Sequence, residues 1–284
     1  REVNRTRRRK ALSGFVVFLC GAAVVLALIP LFFVFGYVIQ KGFASLSWDF
    51  FTKMPKPVGE KGGGMANAML GTIYLIAIAG AFAVPVGVIA GVYLSEYGKK
   101  TFGSLVRFTA DVLNGVPSIV IGIFAYGLAV LPVKHFSALA GGLALGFMMI
   151  PIITRTTEEL LNLVPGTLRE GSLALGATRA RAAFSVMVPA ALPGIMTGVL
   201  VALARIAGET APLLFTAFNN RFMTTSLLQP ISSLPVQIYT YAVSPYDDWH
   251  RQAWAGALVL IGFVFAFSVL ARMVTRRLER MHRT

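Results

Sequence analysis

Residues Arg155 to Pro189 read RTTEELLNLVPGTLREGSLALGATRARAAFSVMVP, a polar stretch of about 35 residues between two long apolar segments. A connection of that length is not a passive tie between elements, and one with internal helix signals has structure of its own. Thr156 with Glu159, and Thr167 with Glu170, have the Ser/Thr-x-x-Glu form of a capping box, and Pro165-Gly166 separates them. Two short helices are therefore predicted. The second runs from Thr167 to Leu175 and ends at Gly176, a residue able to take the left-handed conformation that closes a helix. A basic amphipathic segment, Thr178 to Val188, then leads to Pro189 and the next apolar run. The stretch reads as a compact helical hook built to meet another protein.

Outward from the hook the chain is made for lipid. Its 284 residues are 56% hydrophobic and 13% charged, with a mean hydropathy of +0.72. That is too much apolar surface for one soluble core, so the class is an all-α integral membrane protein. Six runs are long enough to cross about 30 Å of hydrocarbon as helices. They are predicted at Leu12 to Ile39, Asn67 to Leu94, Val106 to Leu131, Ser137 to Thr154, Ala190 to Phe218 and Ala253 to Ala271. The fourth is the shortest and contains Pro151. The first follows Arg7-Arg8-Arg9-Lys10, as a signal peptide would. It outruns a signal core and shows no small-residue cleavage site, so it reads as a retained span. The organisation is a basic segment at 1–11, a six-span domain at 12–271 with the hook at 155–189, and a basic tail at 272–284.

Placing the amino terminus in the cytoplasm puts 18 of the 26 Lys and Arg on the inside, seven outside and one, Arg205, within a span. This is the positive-inside bias, with both termini cytoplasmic. It also accounts for most of the net charge of +14, so no nucleic-acid partner is expected. Other chemistry is narrowed by what is missing. Cys20 is the sole cysteine, and His135, His250 and His282 are far apart without metal-ligand spacing. Gly62-Gly63-Gly64 follows Lys61, but no Gly-Lys-Ser/Thr forms a phosphate-cradling loop. The chain is not expected to hydrolyse ATP or to bind a metal; energy must arrive from a partner.

One charge stands out within the membrane. Arg205 falls about 20 Å into the fifth predicted span at 1.5 Å per residue, in Ala204-Arg205-Ile206-Ala207-Gly208-Glu209-Thr210. A central Arg costs from about 3 kcal/mol upward, so such residues face a protein interior or water and mark transport paths. On a continuous helix Glu209 lies one turn further along the same face. An ion pair gluing helices is one reading. The favoured reading gives Arg205 an anionic substrate, because its planar fork of donors suits an oxyanion, with Glu209 positioning it or accepting a substrate proton and Thr210 beside them. Weaker candidates for the path are Asp111, Asn114 and Ser118 around Gly115-Val116-Pro117, and Arg155, which serves equally well as a positive-inside anchor. Trp249, Tyr246, Tyr241 and Tyr239 form either an interfacial belt or an external docking surface.

The hook resembles the signature loop of ABC-importer permeases, in which Glu-Ala-Ala is followed after three residues by Gly and after nine more by Ile-x-Leu-Pro. Glu170, Gly176, Val186, Val188 and Pro189 match at that spacing, with Gly171 and Ser172 in place of the alanines. Most of the chain extends the resemblance to the A-type permease subunits of bacterial phosphate-specific ABC transporters. Its carriers are Trp48-Asp49-Phe50-Phe51, Pro85-x-Gly87, Tyr93-Leu94-Ser95-Glu96-Tyr97, Gly115-Val116-Pro117-Ser118-Ile119-Val120, Pro151 to Glu159, Ala204-Arg205, and Gly208 to Phe215. The resemblance implies the type I ABC-importer permease fold in the bacterial inner membrane. It implies that Glu170, Gly171, Ser172, Leu173, Ala174, Gly176 and Pro189 couple to an ABC ATPase dimer, which carries the ATP and Mg. Further implied partners are a homologous C-type permease subunit, an extracytoplasmic phosphate-binding protein and membrane lipid, with inorganic phosphate as substrate. A permease for sulfate or molybdate is the alternative within the class. A membrane enzyme acting on phosphorylated lipid needs a catalytic base or metal constellation, and none is visible.

Overall fold

A computed structural model describes residues 2–98 and 100–281. Arg1, Lys99 and Arg283, which enter the count of Lys and Arg, lie outside the described residues with His282 and Thr284. Among the described residues regular structure is helical, apart from a bridge between Pro55 and Gly63. Five helices are long and apolar enough to cross a membrane, and a sharply bent pair makes a sixth. Counted as one span, that pair brings the total from five to the six expected, and two of the expected spans are broken.

The centre of the molecule is a pair of helices, α3 (Ala66–Tyr97) and α6 (Ala138–Leu163). They approach closely because glycines on each helix receive side chains of the other: Gly87 faces Ile153 and Gly142 faces Ile78. At Gly91 an added Cβ would lie 2.7 Å from the Thr154 carbonyl oxygen. Without a hydrophobic drive between helices in lipid, such close backbone packing is what holds them. Leu75, Ala79, Leu145, Met149 and Ile153 from this pair are buried with Ile195 and Val199 of α9 (Val188–Ile206). Ser137 caps α6, accepting from the Ala140 N–H at 3.1 Å. At its other end α6 runs on to Leu163, past the limit expected at Thr154. Thr156 and Glu159 thus lie inside a continuing helix rather than starting a new one. Their capping-box spacing was misleading because the preceding residues were already helical.

The third expected span, Val106 to Leu131, is instead two helices, α4 (Thr101–Gly115) and α5 (Ser118–Ala125), bent by 108°. Pro117 has no N–H to give and forces its neighbour out of the helical region; Val116 is extended, with φ −70° and ψ 132°. A π turn, Tyr126–Val130, continues α5. The fifth span differs as well. It begins at α8 (Arg179–Ala182), passes through a π turn at Ala183–Met187 and ends with α9 at Ile206. The π turn sits just before Pro189, whose missing N–H leaves a carbonyl free one turn earlier. After Ile206 the chain turns at Ala207 to Thr210 and resumes as α10 (Ala211–Thr216).

At the periphery, α1 (Glu2–Ser45) is largely exposed and meets α12 (Asp247–Met281) near its end. There the Tyr37 ring stands edge-on to Trp254 at 5.0 Å. A second core of Phe50, Met65, Leu234, Tyr241 and Ala253 closes the end opposite the hook, joining α2 (Trp48–Thr52), α11 (Leu234–Ala242) and α12. Tyr241 stacks on Trp249 at 4.5 Å, with Tyr246 edge-on to the same ring. Tyr241 is therefore committed to packing, whereas Tyr246 and Tyr239 are exposed.

Candidate functional site

The two broken spans meet. At Gly122, on α5, an added Cβ would lie 2.6 Å from Pro212 Cα on α10, so the short helices after each break cross in backbone contact. Beside the crossing, Arg205 lines a small recess with Leu113, Asn114, Val116, Ile121, Met148, Ile152 and Ile206. Both Arg205 and Asn114 are exposed on this face. The structure thus brings together a cation and an amide separated by 91 positions in sequence. Ser118 opens α5 directly behind Pro117 and is half-buried.

The geometry expected for Arg205 and Glu209 is not found. Because α9 ends at Ile206, Glu209 follows in the turn, its N–H donating to the Ile206 carbonyl at 3.1 Å. The i, i+4 rule needs an unbroken helix, and Gly208 with Pro212 ends this one. Among the described residues neither Arg205 nor Glu209 takes part in an ion pair. Thr210 precedes α10, and its carbonyl accepts from Leu213 at 3.1 Å. Non-helical backbone of this kind within a membrane domain persists where it lines a cavity, and half-helix starts there favour anions.

Asp111 and Arg155, the other candidates for the path, are engaged with each other: Arg155 Nε lies 3.0 Å from Asp111 Oδ1. Arg155 Nη1 also donates to Glu158 Oε2 at 2.7 Å. The buried Glu158 carboxylate accepts a second bond from Arg107 Nε on α4. Arg107 in turn donates to the Gly98 and Leu94 carbonyls at 2.7 and 3.0 Å, capping the end of α3. Glu158, Glu96 and Arg107 were not singled out from sequence. The available signal was a carboxylate near the carboxyl end of each of two apolar helices, which is costly unless paired.

The hook contains α7 (Gly166–Ala174), which has no buried residue. Pro165 precedes it without a side-chain cap, so Thr167 lies inside the helix and the second capping box does not form. The closure at Gly176 is as expected, with φ +86°. Its N–H donates to the Leu173 carbonyl at 2.9 Å and that of Ala177 to Ser172 at 3.1 Å, a Schellman pair. Ser172 bends back to the Arg169 carbonyl at 2.8 Å. Exposed along the helix are Glu170, Gly171, Leu173 and Ala174, with Leu175 following. Pro189 stands in the first turn of α9. Arg169 Nη2 bonds the buried Glu96 carboxylate of α3 at 2.6 Å, fixing the hook to the bundle.

Residues 83–280 match the family of binding-protein-dependent transport system inner membrane components. The chain belongs to that family. The phosphate transport system permease protein PstA of Haemophilus influenzae is 42% identical over 266 residues, covering 93% of this chain and 94% of that protein. The PstA of Xylella fastidiosa Temecula1 is 44% identical over 273 residues, 95% of both chains. A probable PstA of Methanocaldococcus jannaschii is 36% identical over 90% of this chain and 91% of its own. Among solved structures, a chain of the inward-facing MetNI methionine ABC transporter superposes with a TM-score of 0.62 at 20% identity, over 75% of this chain and 97% of that one. A chain of a bacterial alginate ABC transporter, solved with its alginate-loaded periplasmic protein, gives 0.67 at 13% identity over 93% and 94%. The likeness to these structures lies in the fold. This chain is a multi-pass inner membrane component of a binding-protein-dependent transport system.

Proposed function

We propose that the chain is a permease subunit of an ATP-driven importer of inorganic phosphate. It supplies half of the pore, a homologous permease subunit supplies the other half, and both termini face the cytoplasm. An extracytoplasmic binding protein delivers phosphate. A separate ATPase dimer carries ATP and Mg and engages the hook through Glu170, Gly171, Ser172, Leu173, Ala174 and Gly176. The observation that carries the reading is the unpaired Arg205 at the junction of two broken helices, across a recess from Asn114. A guanidinium left without a carboxylate there is available to an oxyanion, and Asn114, which lines the same recess, can donate beside it, with Ser118 further along at the start of α5. Glu209, free of Arg205, accepts the proton of a protonated phosphate, which a fully ionised sulfate lacks. The names of the relatives support phosphate as the substrate.

Radiolabelled phosphate uptake in vesicles containing all the subunits, with sulfate as competitor, tests this directly. Uptake should be insensitive to excess sulfate. Arg205→Gln should leave the complex assembled and lower uptake at limiting phosphate by about 10- to 150-fold, the equivalent of one charged hydrogen-bonding partner. Uptake at the wild-type level in that variant would reject the site.

A further inference from the structure

A line of charges connects the elbow beside Arg205 to the hook. Asp111 lies one turn before Asn114 on α4 and meets Arg155 at 3.0 Å. Arg155 donates to Glu158, which also accepts from Arg107. Arg107 holds the carbonyls of Leu94 and Gly98, the two residues that bracket the last turn of α3. That turn carries Ser95, bonded to Asn162 Oδ1 of α6 at 3.0 Å, and Glu96, bonded to Arg169 of the hook at 2.6 Å. Glu158 is 3% exposed and Glu96 has a side chain 4% exposed. Glu158 is thus a buried carboxylate held by two arginines and Glu96 one held by Arg169, and a buried carboxylate that loses its arginines is a charge stranded out of water.

We propose that Glu158 is a positioning residue that joins α7 to the α4–α5 elbow, so that hook and elbow move as one body when the ATPase closes. This rests on the permease reading above and adds the route by which the hook acts on the anion site. Two features carry it. Glu158 is the one carboxylate shared by an arginine of α4 and an arginine of α6 among the described residues. The same Arg107 that it orients fixes the turn from which Glu96 grips the hook. Glu158 does not line the recess, whose last α6 residue is Ile152, and acts through Arg107 and Arg155. A rigid charged strut transmits displacement where a solvated, flexible link would dissipate it.

The test uses the assembled transporter in vesicles and reads phosphate taken up per ATP hydrolysed. A misfolded fraction lowers both quantities together and leaves that ratio unchanged, whereas a severed strut lowers the ratio. Glu158→Gln is expected to retain assembly and ATP turnover and to reduce the ratio by about 2- to 30-fold, the range that residues along such a chain exert on coupling. Asp111→Asn, at a half-exposed position, should shift it in the same direction and serves as the deciding variant if Glu158→Gln fails to assemble. Glu159→Gln, whose carboxylate stands 3.9 Å from Arg155 and is exposed, should match wild type. A wild-type ratio in Glu158→Gln, or in Asp111→Asn where that variant decides, overturns the strut. Absence of phosphate uptake by the wild-type complex would instead reject the permease reading, leaving the two failures distinct.

Discussion

Gly176 shows how one residue sets the shape of the hook. Its φ of +86° closes α7 and turns the chain toward α8; a side chain there pays the left-handed penalty of about 1 to 2 kcal/mol. Gly176→Val should weaken co-purification of the ATPase subunit by about 5- to 30-fold in affinity while the membrane domain still assembles. Gly171 is different, since an added Cβ there meets nothing within 4 Å. Gly171→Ala should therefore keep the ATPase bound and favour α7 by about 1 kcal/mol, measurable as unchanged or tighter binding. The left-handed glycine was legible from sequence because its chemistry is local. Arg205 was legible only in part: its charge marked it out, but its separation from Glu209 depends on where α9 stops.

At the scale of elements, the decisive features are the two breaks and their crossing. Pro117 breaks one span, and Gly208 with Pro212 breaks the other, and α5 and α10 then pack through Gly122 and Pro212. Gly122→Leu would force these helices apart, because no rotamer relieves a Cβ set against a proline backbone. Phosphate uptake should fall with the hook still binding the ATPase, as read by uptake and co-purification on the same preparation. Hydropathy sees only that a run is apolar and long enough. It joined each broken pair into one span, and it ended α6 at the membrane surface because polar residues begin there. The structure carries α6 on to Leu163, since Thr154, Thr157 and Glu158 find partners or burial against α3 and α4.

For the whole molecule, the arrangement of charges makes a topological prediction. Cys20 is the single cysteine, so a Cys20→Ser background permits cysteines to be placed one at a time. A membrane-impermeant thiol reagent should reach Arg179→Cys from the cytoplasmic side only and Lys134→Cys from the opposite side only. Labelling of both from one side would overturn the orientation drawn from the Lys and Arg bias. Much of α1, α4 and α5 is apolar and exposed, which suits a chain set in lipid.

Composition, run length and cation bias by themselves determined that the chain is a helical membrane protein of six crossings, and local turn chemistry determined how its hook closes. These follow from lipid's demand that backbone groups be satisfied within a segment, a property of each segment alone. Which helices break, that Arg205 shares a recess with Asn114 rather than an ion pair with Glu209, and that Glu158 gathers two arginines were decided only by tertiary structure. Those facts depend on contacts between residues distant in sequence, and the energy of a buried charge is set by whichever partner the fold brings to it.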